Sequence, residues 1–215
     1  MSVSQAQTGP EAVASRASLQ PRPGWLGGLD RLTGPKATKA ELWLQLGPAI
    51  AAAIIAPLYA RSLPVEWTPL QLGLIAFLGL DMVGGVLTNA TATAKRWYHR
   101  PGQGWRQHFA FVCLHLVHIL LVALVLRSGD WGFFGGVSAY LLMASLVIVR
   151  SHRYLQRPIA LGLYGLALLG DRYWLTPTPG LEWLLPFLFL KLLVSHLVPE
   201  ETDRPTASQS TPPKI

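Results

Sequence analysis

The sequence predicts an all-α polytopic membrane protein, a bundle of six transmembrane helices with both termini in the cytoplasm, on three observations. First, of its 215 residues 51% are hydrophobic and only 13% charged, against about 25% charged in an ordinary soluble domain. Second, the basic residues alternate from loop to loop. They gather ahead of the first apolar run (Arg16, Arg22, Arg31, Lys36, Lys39), in the second connection (Lys95, Arg96, Arg100, Arg106) and in the fourth (Arg150, Arg153, Arg157). The other connections hold one each, Arg61, Arg127 and Arg172, beside Glu66, Asp130 or Asp171. Lys and Arg concentrate in cytoplasmic loops, so six crossings satisfy every loop at once, whereas five strand the last segment outside. Third, Trp43, Trp67, Trp97, Trp105, Trp131, Trp174 and Trp183 fall at or near the ends of the apolar runs, at the headgroup level that indole favours.

In order along the chain, residues 1–38 are rich in Ser, Ala, Gln, Gly and Pro and lack the apolar core of a secretory signal. They are expected to form a disordered cytoplasmic tail in which Trp25 and Leu26 rest on the membrane surface. The membrane domain is placed at 39–198, with spans near 42–60, 68–92, 109–126, 132–149, 158–175 and 181–198, followed by a disordered cytoplasmic tail at 199–215. A helix needs about 20 residues to cross the hydrocarbon, which the first four runs supply unaided. The fifth crosses only if Asp171 and Arg172 snorkel while Tyr173, Trp174 and Leu175 continue the helix, and a re-entrant segment is the competing form. The sixth carries Glu182 and Lys191, so one side of it should face protein. Pro57 and Pro186 are expected to kink their helices, and Gly84, Gly85, Gly135, Gly136, Gly162, Gly165 and Gly170 to bring helices close together. Cys113 has no partner for an internal disulfide and reads as a packed thiol.

The segment from Asp81 to His118 holds the chemistry. At about 100° per residue, Asp81, Gly85, Thr88, Ala92, Lys95 and His99 project within roughly 40° of one direction, with Asn89 about 80° away. Asp81 falls near the middle of its span, where an unpaired carboxylate costs about 2.5 to 3.5 kcal/mol. It must therefore be paired, protonated or ligating, and Lys191, at similar depth, is the expected charge partner. In QHFAFVCLHLVHIL, His108, His115 and His118 share a stripe, and antiparallel packing brings His118 to the depth of Asp81. Asn89, Lys95, His99, Arg100 and His108 form an expected headgroup or substrate rim at the cytoplasmic end. Arg106, His152, Arg153 and His196 lie at similar depth.

A net charge of +7 without any nucleic-acid module makes the bilayer and its anionic headgroups the expected partners, not nucleic acid. A bacterial-type plasma membrane is the expected location. Three chemistries remain open. Neutral imidazoles and a carboxylate suit zinc or iron, so Asp81, His115 and His118 are candidate metal ligands, with Asp81 and His118 as candidate catalytic groups acting on a lipid or other membrane substrate. The histidine density resembles, in general terms, the membrane desaturases and hydroxylases, and the His/Asp set resembles that of intramembrane zinc hydrolases. The desaturase patterns HxxxH and HxxHH are absent, and the nearest element is His115-Leu-Val-His118. A proton-coupled carrier would use Asp81, Lys191 and the histidine stripe as a relay. A b-type haem protein needs a second axial histidine on a facing helix, from His196 or His152.

Overall fold

The structure, a computed structural model, describes residues 20–200, and all regular structure among them is helical. The helices are α1 (Trp25–Thr33), α2 (Lys39–Ser62), α3 (Pro69–Ala90), α4 (Ala92–Tyr98), α5 (Trp105–Leu114), α6 (Leu116–Leu121), α7 (Trp131–Arg150), α8 (Arg153–Trp174) and α9 (Leu184–Phe189). α6 widens into a π-helical stretch, Val122–Leu126, and α9 into another, Leu190–His196.

Side-chain contacts at the two ends establish that the chain runs up and down. At one end Gln45 on α2 meets Thr88 and Thr91, and His99 meets His196. At the other, Gln71 donates to the Val125 carbonyl, and Arg127 reaches Thr176 and Thr178. Sequence signals set the starts. Thr38 with Glu41, and Thr68 with Gln71, form reciprocal capping boxes on α2 and α3, and Asp130 accepts from the Phe133 N–H at the start of α7. Pro186 lies in the first turn of α9, where no intrahelical hydrogen bond is lost, so it does not act as a mid-helix kink.

Four helical stretches are long and apolar enough to cross a membrane: Lys39–Ser62, Pro69–Ala90, Trp105–Leu126 and Trp131–Arg150. α8 is one continuous helix of 22 residues reaching Trp174, not a re-entrant loop, but its charged ends keep it out of that class. The sixth run is apolar but short, Leu184–His196. It is also the most enclosed. Leu184, Leu185, Leu188, Phe189, Lys191, Leu192, Leu193, Ser195 and His196 are all buried against α3, α7 and α8. The outside of the bundle is apolar, with Ile50, Ile54, Ile55 and Leu58 exposed on α2 and Leu161, Leu166 and Leu169 on α8, a surface suited to hydrocarbon.

Four local expectations are corrected. The second apolar run does not carry one helical face from Asp81 to His99, because Thr91 turns extended (φ −71°, ψ 142°) and starts α4. Its hydroxyl caps Ala94 N–H, donates to the Thr88 carbonyl and receives Gln45, so buried polar bonds replace the helix continuation. The third run tightens at His115, whose N–H reaches the Val112 carbonyl, and widens again after Leu121. Within the expected N-terminal tail, residues 25–33 form α1. It is tied to α4 by Trp97 Nε1 donating to the Arg31 carbonyl and Tyr98 Oη to the Leu32 carbonyl, while Trp25 stays exposed. Residues 1–19 and 201–215 of the expected tails lie outside the described residues.

The fourth correction concerns glycines. Gly79 and Gly84 do bring α3 onto α2, since a Cβ there would stand 2.8 Å from the Ala52 carbonyl oxygen and 2.9 Å from the Ala49 Cβ. At Gly135, Gly136, Gly162 and Gly165 a Cβ would meet nothing within 4 Å, so these glycines close no helix contact in this chain.

Candidate functional site

Asp81 projects from just past the middle of α3 toward the buried sixth segment, where Lys191 Nζ donates to its Oδ2 at 2.6 Å. Lys191 fits because residue 85 is glycine: a Cβ there would stand 2.9 Å from Nζ and overlap the Cδ and Cε methylenes. His118 Nε2 approaches the same Asp81 oxygen at 3.3 Å. The His118 ring stacks with His115, centroids 5.0 Å apart, and with Phe77 at 5.7 Å. One donor atom from each of Asp81, His115 and His118 falls within 4.8 Å of the others.

The backbone fixes one imidazole. His115 Nδ1 donates to the Phe111 carbonyl at 2.8 Å, which leaves its Nε2 lone pair bare. That is the arrangement in which a ligating histidine is usually held. His118 Nδ1 is buried without a hydrogen-bond partner. Lys191 and His115 are enclosed, whereas the side chains of Asp81 and His118 keep 29% and 18% of their surface, so the group opens on their side.

Toward the basic end of the bundle lies a second imidazole cluster. Asn89 Nδ2 donates to the Gly85 carbonyl, so its Oδ1 is the acceptor for His196 Nδ1 at 3.1 Å. His196 Nε2 is then the acceptor for His108 Nδ1 at 3.3 Å. His99 Nε2 donates to the His196 carbonyl at 2.9 Å and stacks on His108, centroids 4.3 Å apart. Phe111 packs between His196 and His115, with centroids 4.0 and 4.7 Å away, and separates this cluster from the deeper one. Burial pushes His99 down to about 4, with His108 and Lys95 adding to the effect. Lys95, whose Nζ donates to the Val198 carbonyl, is lowered to about 8 by its own burial.

The structure thus gathers Asp81, His115, His118 and Lys191 in one place and Asn89, Lys95, His99 and His108 in another. Arg100 does not join the second group; it folds over the Trp97 ring at 3.6 Å and donates to the Trp97 carbonyl. Arg106 lies over Trp105, and exposed His152 stacks on Tyr154. Two residues carry more than their sequence context signalled. His196 sits at the centre of the second cluster, and its depth in the sixth run was the only clue. Gly85 makes room for Lys191, which no residue pattern marks. His108 and His196, which stand on facing helices, touch directly, with ring centroids 5.1 Å apart. No protein-family model, curated protein or solved structure matches this chain.

Proposed function

We propose that Asp81, His115 and His118 hold a metal ion and that the protein is a six-span membrane enzyme acting on a lipid or other membrane substrate. In this reading both termini are cytoplasmic, the bilayer is a bacterial-type plasma membrane, and the basic rim meets anionic headgroups. One observation carries the chemistry: a carboxylate and two imidazoles converge within 4.8 Å, and His115 is pinned by the Phe111 carbonyl with its Nε2 free. Three protein donors leave a coordination position open, the pattern of catalytic rather than structural sites. Such an ion, zinc or iron, supplies Lewis-acid polarisation and acidifies a bound water.

The residues of the chain do the rest. Lys191 holds the Asp81 carboxylate in one orientation and leaves its second oxygen available. His118, partly open on the Asp81 side, is the imidazole placed to exchange a proton with a substrate. Phe77 and Phe111 pack against the two imidazoles.

Elemental analysis of the detergent-purified protein tests this. Stoichiometric zinc or iron is expected, lost in Asp81→Asn, His115→Ala and His118→Ala; metal-free wild-type protein overturns it. A second reading, a proton-coupled carrier, is favoured by the direct Lys191–Asp81 contact, which a proton on Asp81 would break. Proton-linked flux abolished by Asp81→Asn in metal-free protein would select it.

A further inference from the structure

An apolar groove of about 210 Å³ runs between α7 and α8, walled by Gly136, Tyr140, Leu166, Gly170 and Phe189. The Tyr140 hydroxyl is already donated to the Leu163 carbonyl, and Asp171 is the one charged side chain on its lining. Gly136 keeps the groove open rather than closing a helix contact, since a Cβ there meets nothing. Asp171 also lines a second cavity of about 320 Å³, at the end of the bundle away from His99, with Arg127, Arg172, Thr178 and Glu182. Asp171 is therefore the wall that the two spaces share.

We propose that groove and cavity together bind one membrane lipid with a zwitterionic headgroup, its chain in the groove and its headgroup in the cavity. The charges select the headgroup. Arg127 is committed to Asp130, Thr176 and Thr178, and the Glu182 carboxylate accepts the Gly180 N–H. Among the described residues no hydrogen bond or ion pair ties the side chains of Asp171 and Arg172, which stand next to each other with opposite charge. Arg172 suits a phosphate and Asp171 an ammonium, whereas a purely anionic headgroup would leave Asp171 facing an anion. The groove is flanked by exposed Leu169 and Trp174 on the hydrocarbon side of α8, so a lipid enters without crossing protein.

The cavity floor, Phe133, Leu184 and Leu185, also lines the small void against which His118 lies. On the proposed enzymatic reading, one layer of apolar side chains separates the headgroup from His118, which makes the bound lipid the candidate substrate. The binding claim itself does not need that chemistry.

The test uses the full chain in nanodiscs of equal phosphatidylethanolamine and phosphatidylglycerol, released into mild detergent and weighed by native mass spectrometry. The wild type is expected to retain one phosphatidylethanolamine in preference to phosphatidylglycerol by about tenfold or more. Gly136→Leu, which fills open space, should lose that lipid. Gly162→Leu, equally unhindered but outside the groove lining, should keep it, and Asp171→Asn should erase the preference. No retained lipid, equal retention of both lipids by the wild type, or full retention by Gly136→Leu overturns the proposal. Should Gly136→Leu not fold, a diazirine-bearing phosphatidylethanolamine decides on the wild type alone: labelling concentrated on the groove lining at 136–140, 166–175 and 189 supports the site, and labelling with no preference for that lining sinks it. Metal content does not enter these readouts, so a failure here is separate from a failure at Asp81.

Discussion

Lys191 reaches Asp81 past a missing side chain, and the energetics of that pair follow from how deep it lies. The ammonium is enclosed while the carboxylate keeps some exposure. Removing the lysine alone therefore strands a partly desolvated carboxylate, at a cost of about 3 kcal/mol, the low end for broken buried pairs. Lys191→Met should lower the melting temperature in detergent clearly, and Lys191→Met with Asp81→Asn should recover much of the loss; equal melting of the single and double variants would argue against the pairing. Gly85→Ala forces the same lysine aside without touching a charge. Overpacking of this kind costs about 1 to 3 kcal/mol, and it should weaken metal retention along with stability. The charge pair was legible in the sequence because both residues fall mid-span, where ions must find each other. The glycine was not, because its role is to leave a space that only the partner helix defines.

Among the helices, legibility depended on whether the signal was periodic or local. Lengths and starts could be read from apolar runs and from Thr-x-x-Glu and Thr-x-x-Gln caps. The break at Thr91 and the tight turn at His115 could not, since neither carries proline or glycine. The first is decided by Gln45, which lies 46 residues away. Antiparallel packing of α3 and α6 correctly brings His118 to Asp81, whereas α4 turns His99 onto the His196 carbonyl by a route the helical wheel does not describe. The burial of His99 has a pH signature. Folded His99 stays neutral down to about 4, while an unfolded imidazole protonates near 6.5. Between these values the unfolded chain binds more protons, so stability falls as pH drops from about 6.5 toward 4. Melting curves across this range should slope accordingly for the wild type, and His99→Asn should make the slope shallower; an unchanged slope would rule His99 out as a contributor.

At the scale of the whole molecule, four stretches qualify as spans on length and apolarity alone, and the count of six rests on the loop charges together with the up-and-down path of α8 and α9. The fold class was plain from composition. The two last segments fall outside a simple length-and-hydropathy count because one carries charge at its ends and the other is short and shielded by its neighbours. Reporter fusions that are active on one side of the membrane only should place residue 38 and residue 199 on the same face, with the 127–130 connection opposite; opposite placement of the two ends would reduce the span count to an odd number. The enclosed position of Leu184–His196 also orders biosynthesis. Asp81 leaves the ribosome 110 residues before Lys191, so the carboxylate has no lysine partner in the growing chain until Leu184–His196 joins the earlier helices.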